Sequence, residues 1–225
     1  MRFGRGRRAL VAAAAAAVVL AGCGGDDGGA DASPQDPQAQ ELARPGLLRL
    51  DDFPAGWMAT PADEDDDNDN ECYSDAMKPL GSVDSESFSS DSNAQASNSV
   101  GVFTDEDGAA AALAVVRDSE VHKCLRDLIA EGIAKDAAEG DAEVVDMAFG
   151  PLSVPQYGDD QAALRLEMTV QSGPFTPTLY LDVVFVQVGR AVSAYEFVDV
   201  LSPFDDDLRG DLIDTTVERL RASVS

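Results

Sequence analysis

The sequence predicts an α+β domain, an antiparallel sheet of four to six strands with helices packed on one face, preceded by a signal peptide and a disordered tether. Three observations carry this. The apolar period is helical between Thr104 and Gly132 and shortens towards two after Gly140. Two β-branched and aromatic-rich runs, Thr178–Val188 and Ala191–Leu201, are separated only by Gly189-Arg190, the signature of a tight type II′ hairpin. Leu208, Leu212, Thr216 and Leu220 then form one helical stripe, broadened by Ile213 and Val217.

Each element has a local reason. Structured chain is expected to begin near Leu47, where an apolar stretch runs into the Pro54-Ala55-Gly56 turn and presents Trp57, the single tryptophan. Residues 61–71 are an acidic run that reads as a solvated loop, and residues 81–98 are Ser/Asn/Asp-rich loop with one edge strand around Phe88. Ser99–Phe103 reads as a strand. Thr104 is placed to cap a helix whose first turn holds Asp105, Glu106 and Asp107, acids that suit the positive end of the helix dipole. Asp118-Ser119 reads as a break, with Ser119 capping a second helix that carries Val121, Cys124, Leu125, Leu128 and Ile129 at helical spacing and frays between Gly132 and Gly140. Val144–Phe149 and Ala163–Val170 read as strands. Ser202-Pro203-Phe204-Asp205 offers a capped start with proline at the first position of the last helix. The triplet Asp205–Asp207 is charge at that helix's N-terminus.

Charge excludes whole classes of function. The 225 residues carry 42 Asp+Glu against 16 Lys+Arg, a net charge of −26. Removal of a leader containing Arg2, Arg5, Arg7 and Arg8 would take this to −30. A nucleic-acid binder needs a basic surface to displace counterions from phosphates, and polybasic membrane docking needs the same. Neither fits.

The leader itself is legible. Behind the basic residues, Ala9–Ala21 is an uninterrupted apolar run of 13 residues, shorter than the roughly 20 that a membrane-spanning helix needs. That is the pattern of a secretory signal. It ends in Leu20-Ala21-Gly22-Cys23, which resembles the lipobox of bacterial lipoproteins. The resemblance implies cleavage before Cys23 and lipidation of its sulfur, so that residues 1–22 are the lipoprotein signal peptide. The membrane is then the partner of the lipid anchor, and the chain is held on the extracytoplasmic face. An ordinary secretory signal with an incidental cysteine is the alternative, and Arg7-Arg8 is at most a weak twin-arginine signal. Residues 23–45 read as the lipidated cysteine and a flexible acidic tether, rich in Gly, Pro, Asp and Glu. About twenty such residues reach roughly 25 Å. Residues 46–225 are the folded domain.

A pattern of short motifs runs through that domain. It comprises a leucine-rich start into Phe53-Pro54-Ala55-Gly56-Trp57, then Cys72, an Ala-rich helix after Val102-Phe103, Cys124, Tyr157-Gly158-Asp159-Asp160, a run of strands, Val188-Gly189-Arg190 and a terminal amphipathic helix. Over residues 46–222 this resembles the extracytoplasmic sensor domain of the mycobacterial kinase PknH and its stand-alone lipoprotein relatives, and more loosely the PsbP-like lipoproteins such as LpqN. The resemblance implies a small α+β domain that binds an extracellular ligand through a cleft.

Individual residues narrow the chemistry. With Cys23 lipidated, Cys72 and Cys124 remain, and an even pair in an oxidising compartment is most simply a disulfide, with two free thiols as the rival. His122 is the only histidine, so neither a multi-imidazole metal site nor an HExxH motif can be built. Paired with Cys124 it would make a nucleophile only if that sulfur were free. The acidic run fails the EF-hand pattern. Counted from Asp65, the sixth position is Asn70 and the twelfth Ala76, where glycine and glutamate belong. No catalytic constellation, metal site or cofactor is therefore expected. Trp57 reads as a core lid or, more sharply, a cleft residue. Tyr157, Arg190, Tyr180 and Tyr195 are the remaining ligand-binding candidates. The function so read is a non-catalytic, sensor-like domain that binds a small ligand. A structural or adaptor lipoprotein that binds another envelope protein is the alternative, and a hydrolase a distant third.

Overall fold

A computed structural model of the protein describes residues 35–62, 72, 77–139 and 142–224. The expected signal peptide, Cys23, most of the expected tether and the acidic run at 63–71 lie outside the described residues. Helix α1 (Pro37–Ala43) precedes the short strands β1 (Met58–Thr60), β2 (Gly81–Asp84) and β3 (Ser87–Ser89), then β4 (Gln95–Val102). Helices α2 (Glu106–Val116) and α3 (Ser119–Glu139) follow. The long strands β5 (Ala142–Pro151), β6 (Asp160–Ser172), β7 (Thr178–Val188) and β8 (Ala191–Val200) lead to α4 (Asp206–Val224).

The fold is α+β, as expected, but its sheet is larger. Among the described residues it has eight strands in the order β1-β3-β4-β8-β7-β6-β5, with β2 paired beside β3 on β4, and the pairings are antiparallel. The hairpin between β7 and β8 matches its sequence signature. Val188 pairs with Ala191 across Gly189-Arg190, and Gly189 has φ +54°, as the first position of a type II′ turn requires.

The expectation of helices on one face is corrected, because helices cover both. Val184, Val186, Tyr195 and Phe197 pack with Leu212, Ile213 and Leu220 of α4. The alternate residues Leu181, Val183, Phe185 and Ala194 pack with Ala109, Leu113 and Val116 of α2. Side chains alternate across a strand, so strands clad on both sides are apolar at nearly every position rather than at every second one.

The start of the folded region is also corrected. Residues 37–45, assigned to the tether by composition, belong to the fold. Asp36 caps α1 by accepting from Gln38 N at 2.8 Å, Pro37 occupies the first turn, and Ala39 and Ala43, four residues apart, are buried. A Cβ on Gly81 would sit 2.8 Å from Asp36 O, so the close approach of β2 to α1 requires glycine. Caps are displaced too. Asp105 rather than Thr104 caps α2, Asp118 accepts from Glu120 N at the start of α3, and Asp205 accepts from Leu208 N at the start of α4.

Two polar clusters fasten the segment after α1. Buried Asn98 on β4 accepts from Leu48 N at 2.8 Å and donates to Gly46 O at 2.9 Å and Ser193 Oγ at 3.1 Å. Arg219 on α4 donates two bonds of 2.8 Å to the Asp52 carboxylate, and one each to Pro45 O and Leu47 O. Arg219→Ala leaves the nearly buried Asp52 carboxylate and two carbonyls without these donors. The expected loss is about 2 kcal/mol of stability, read by urea unfolding. A change within error would mean the segment is held by Asn98 alone.

Candidate functional site

The ligand-binding candidates Trp57, Tyr157 and Arg190 do not converge on one cleft. Trp57 follows Gly56 (φ +101°) and packs 4.6 Å from Phe53 and 6.1 Å from Phe204, with Phe53 in turn 4.6 Å from Phe88. This is an aromatic layer near the first turn of α4, the lid reading. Arg190 lies in the hairpin, where its carbonyl accepts from Phe103 N at 2.9 Å. A Cβ on the adjacent Gly189 would be 3.7 Å from Val224, the last residue of α4. At 1.5 Å rise per residue, α4 separates these two ends by roughly 28 Å. Tyr157 lies between them on the loop before β6, its hydroxyl 3.6 Å from the Cβ position of Gly210. Burial raises the phenol pKa, and the Arg209 guanidinium that hydrogen-bonds it opposes the rise. Tyr195 is a core residue whose hydroxyl meets Thr216 Oγ1 at 2.7 Å, and Tyr180 is half-buried on the α4 face of β7.

Beneath Tyr157 lies a cluster that the sequence reading missed. Asp182 on β7 has a side chain only 1% exposed. It accepts from Arg165 Nε and Nη2 at 2.5 and 2.7 Å, and from Arg209 Nη1 at 2.6 Å. Arg209, 3% exposed, also reaches Asp206 at 2.8 Å through Nη2, while its Nε is buried with no hydrogen-bond partner. The cluster ties the first turn of α4 to the centre of the sheet. Its signal was present, a lone acid within the apolar run Thr178–Val188. Charges buried in such a strand are paired or they are not tolerated. Chemically, Asp182 has its carboxylate engaged by two guanidiniums and acts as a brace rather than as a base.

The groups that catalysis would call on are committed elsewhere. His122 holds Val116 O through Nε2 at 2.6 Å and meets the Phe149 ring edge-on at 6.1 Å. Cys72 and Cys124 form a disulfide with a Cα–Cα distance of 5.6 Å, in line with the bridged reading of the pair. Among the described residues no group of three or more His, Cys, Asp or Glu is placed to hold a metal. The run containing Asp65, Asp67 and Asp69 lies outside them. Between α2 and the sheet, Met77, Phe103, Leu113 and Phe185 line an apolar recess with room for about one water.

The surface beside the ion cluster is open. On the α4 side of the sheet, register aligns Ala148, Glu167, Tyr180 and Asp199 in one row, and Asp146, Thr169 and Thr178 in the next. Asp146, Ala148 and Glu167 are exposed, and a Cβ on Gly150 would meet nothing within 4 Å. The opposite side chains of β6, Leu164, Leu166 and Met168, are buried in the α2-side core.

Burial raises the Tyr195 phenol pKa, more strongly than its hydrogen bonds to Ser193 and Thr216 lower it. A raised folded pKa gives stability that is intact below the unfolded value near 10 and is lost as pH rises through the folded one. Absorbance titration at 295 nm is expected to show the Tyr195 phenolate appearing only with unfolding, and Tyr195→Phe to remove that component. Its ionisation in the folded protein at the ordinary pH would contradict the packing.

No family model matches the chain, and no curated protein matches it. Among solved structures it is similar to the extracellular domain of PknH from Mycobacterium tuberculosis, at 9% identity and a TM-score of 0.41 over 84% of this chain and 100% of that one. That likeness is one of fold outline, from which no residue role follows.

Proposed function

We propose that the chain is a lipid-anchored, non-catalytic protein of the extracytoplasmic face of the cell membrane, whose domain recognises another envelope protein on its surface. The observation that carries the anchoring is the basic start, the apolar run Ala9–Ala21 and the Leu20-Ala21-Gly22-Cys23 ending. One further point supports the location: the Cys72–Cys124 bridge fits an oxidising compartment. The committed state of His122 and Asp182 supports a non-catalytic role. Of the two binding readings, a cleft-based small-ligand sensor and an adaptor, packing among the described residues favours the adaptor. The α4 and α2 layers meet the sheet with buried apolar side chains, and the recess beside α2 holds little more than one water.

Cys23→Ser is expected to move the protein from the membrane fraction to the medium, because two acyl chains at about 0.8 kcal/mol per methylene are what holds it. Unchanged fractionation would rule out the anchor. A thermal-shift screen of small metabolites that raised the melting temperature strongly would restore the sensor reading.

A further inference from the structure

We propose that the open α4-side face spanning β5 to β8 docks a cationic amphipathic segment of another protein, whose basic side chains meet Asp146, Glu167 and Asp199 and whose apolar side chains meet Leu201 and Phe175. This rests on the surface-recognition reading above and names the face and the partner's chemistry.

Among the described residues the face is uncovered for a structural reason. Helix α4 lies across β7 and β8, and register carries the acid rows past its first turn to the edge strand β5. Glu167 and Asp199 are two strands apart, hence about 10 Å, the span of about three residues of an extended segment or of about two helical turns. Among the described residues Asp146, Glu167 and Asp199 have no ion-pair partner. Arg165, in the neighbouring row, is ion-paired with Asp182 and acts on Glu167 only at longer range. Asp199 is half-buried, and desolvation raises its pKa, the condition of a carboxylate held out of water with no cation beside it.

The apolar part is at the same end of the sheet. Leu201 is 75% exposed and adopts φ +82°, a conformation that a leucine rarely takes. Its N–H is bonded to Thr178 O at 2.7 Å, which ties the backbone of this residue to the sheet. Phe175, in the turn between β6 and β7, is 72% exposed. Exposed apolar residues and acids without an ion-pair partner thus occupy the same end of the sheet, and charge complementarity selects the occupant. A second copy would set acid against acid, and an anionic membrane would be repelled.

The face also points the right way for a tethered protein. The chain enters at α1, whose Leu42 carbonyl accepts from Ser223 in the last turn of α4, whereas the acid rows lie beside the first turn. The length of α4, roughly 28 Å, separates α1 from the docking face.

The test uses the full chain in detergent micelles and a fluorescent twelve-residue peptide of alternating lysine and leucine at 150 mM salt. Asp146→Asn/Glu167→Gln/Asp199→Asn is expected to weaken binding at least tenfold, and Leu201→Ser about fivefold. Glu86→Gln/Asp91→Asn/Glu120→Gln, which removes equal charge elsewhere, is expected to change it less than twofold. Equal weakening by both triple variants, or amide shifts centred away from β5–β8, overturns the proposal as diffuse charge attraction. Because membrane release by Cys23→Ser reads the anchored adaptor separately, failure here leaves that reading distinguishable.

Discussion

Asp182→Ala is expected to lower the unfolding free energy by about 3–5 kcal/mol, the cost of breaking a buried ion pair by removing one member. The carboxylate is nearly inaccessible and is shared by Arg165 and Arg209. Its removal strands the Arg209 guanidinium, 3% exposed, with only the exposed Asp206 and the neutral Tyr157 hydroxyl to face. Arg165 is less confined, at 20% exposure, so Arg165→Met should cost less than Arg209→Met. For a domain of this size each kcal/mol moves the melting temperature by about 2–4 °C, so a drop on the order of 10 °C is expected in calorimetry. Asp182→Leu combined with Arg165→Met and Arg209→Met should recover most of it, because replacing a whole buried ion cluster by apolar side chains is often neutral or better. A single Asp182→Ala cost under about 1 kcal/mol would mean that water reaches the cluster and that it does not brace α4.

How much of this was legible follows from what each signal measures. The hairpin of β7 and β8 was readable residue by residue, because turn chemistry and β-branched runs agreed. The same runs also carried the two-sided burial that the one-face expectation overlooked. Thr178–Val188 and Ala191–Val200 do not alternate, and a strand that does not alternate is covered twice. Helix α1 was lost to averaging. Across residues 23–45 the composition is that of a tether, but within it Asp36-Pro37 with Ala39 and Ala43 is a capped helix start with an i,i+4 apolar pair. Strands β1 and β2 lie among serines, acids and glycine, where propensity is weak. They exist through their neighbours on β3 and β4, which no local pattern reports. The site divides the same way. Asp182 was visible as an anomaly in an apolar strand, whereas its partners Arg165 and Arg209 come from different elements and depend on register. Trp57, Tyr157 and Arg190 were chosen by residue type, and the length of α4 is what sets the first and last of them apart.

Cys72→Ser/Cys124→Ser is expected to cost roughly 4 kcal/mol on the chain-entropy account, since the bridge closes a loop of 52 residues. The loss should be uneven. Helix α3 packs against the edge strand β5, partly through the edge-on contact of His122 with Phe149, and only lightly against α2. Its Cys124 half of the bridge is a covalent link from that outer layer back to the chain before β2. Strands β7 and β8 are buried on both faces and have no such dependence. Amide exchange in the double variant should therefore accelerate first and most in α3 and β5, while β7 and β8 exchange only through global opening. Reductant acting on the unmodified protein should reproduce the pattern. Uniform acceleration in all elements would place the effect entirely in the unfolded chain, and unchanged exchange in α3 would show that its contacts with β5 suffice without the link.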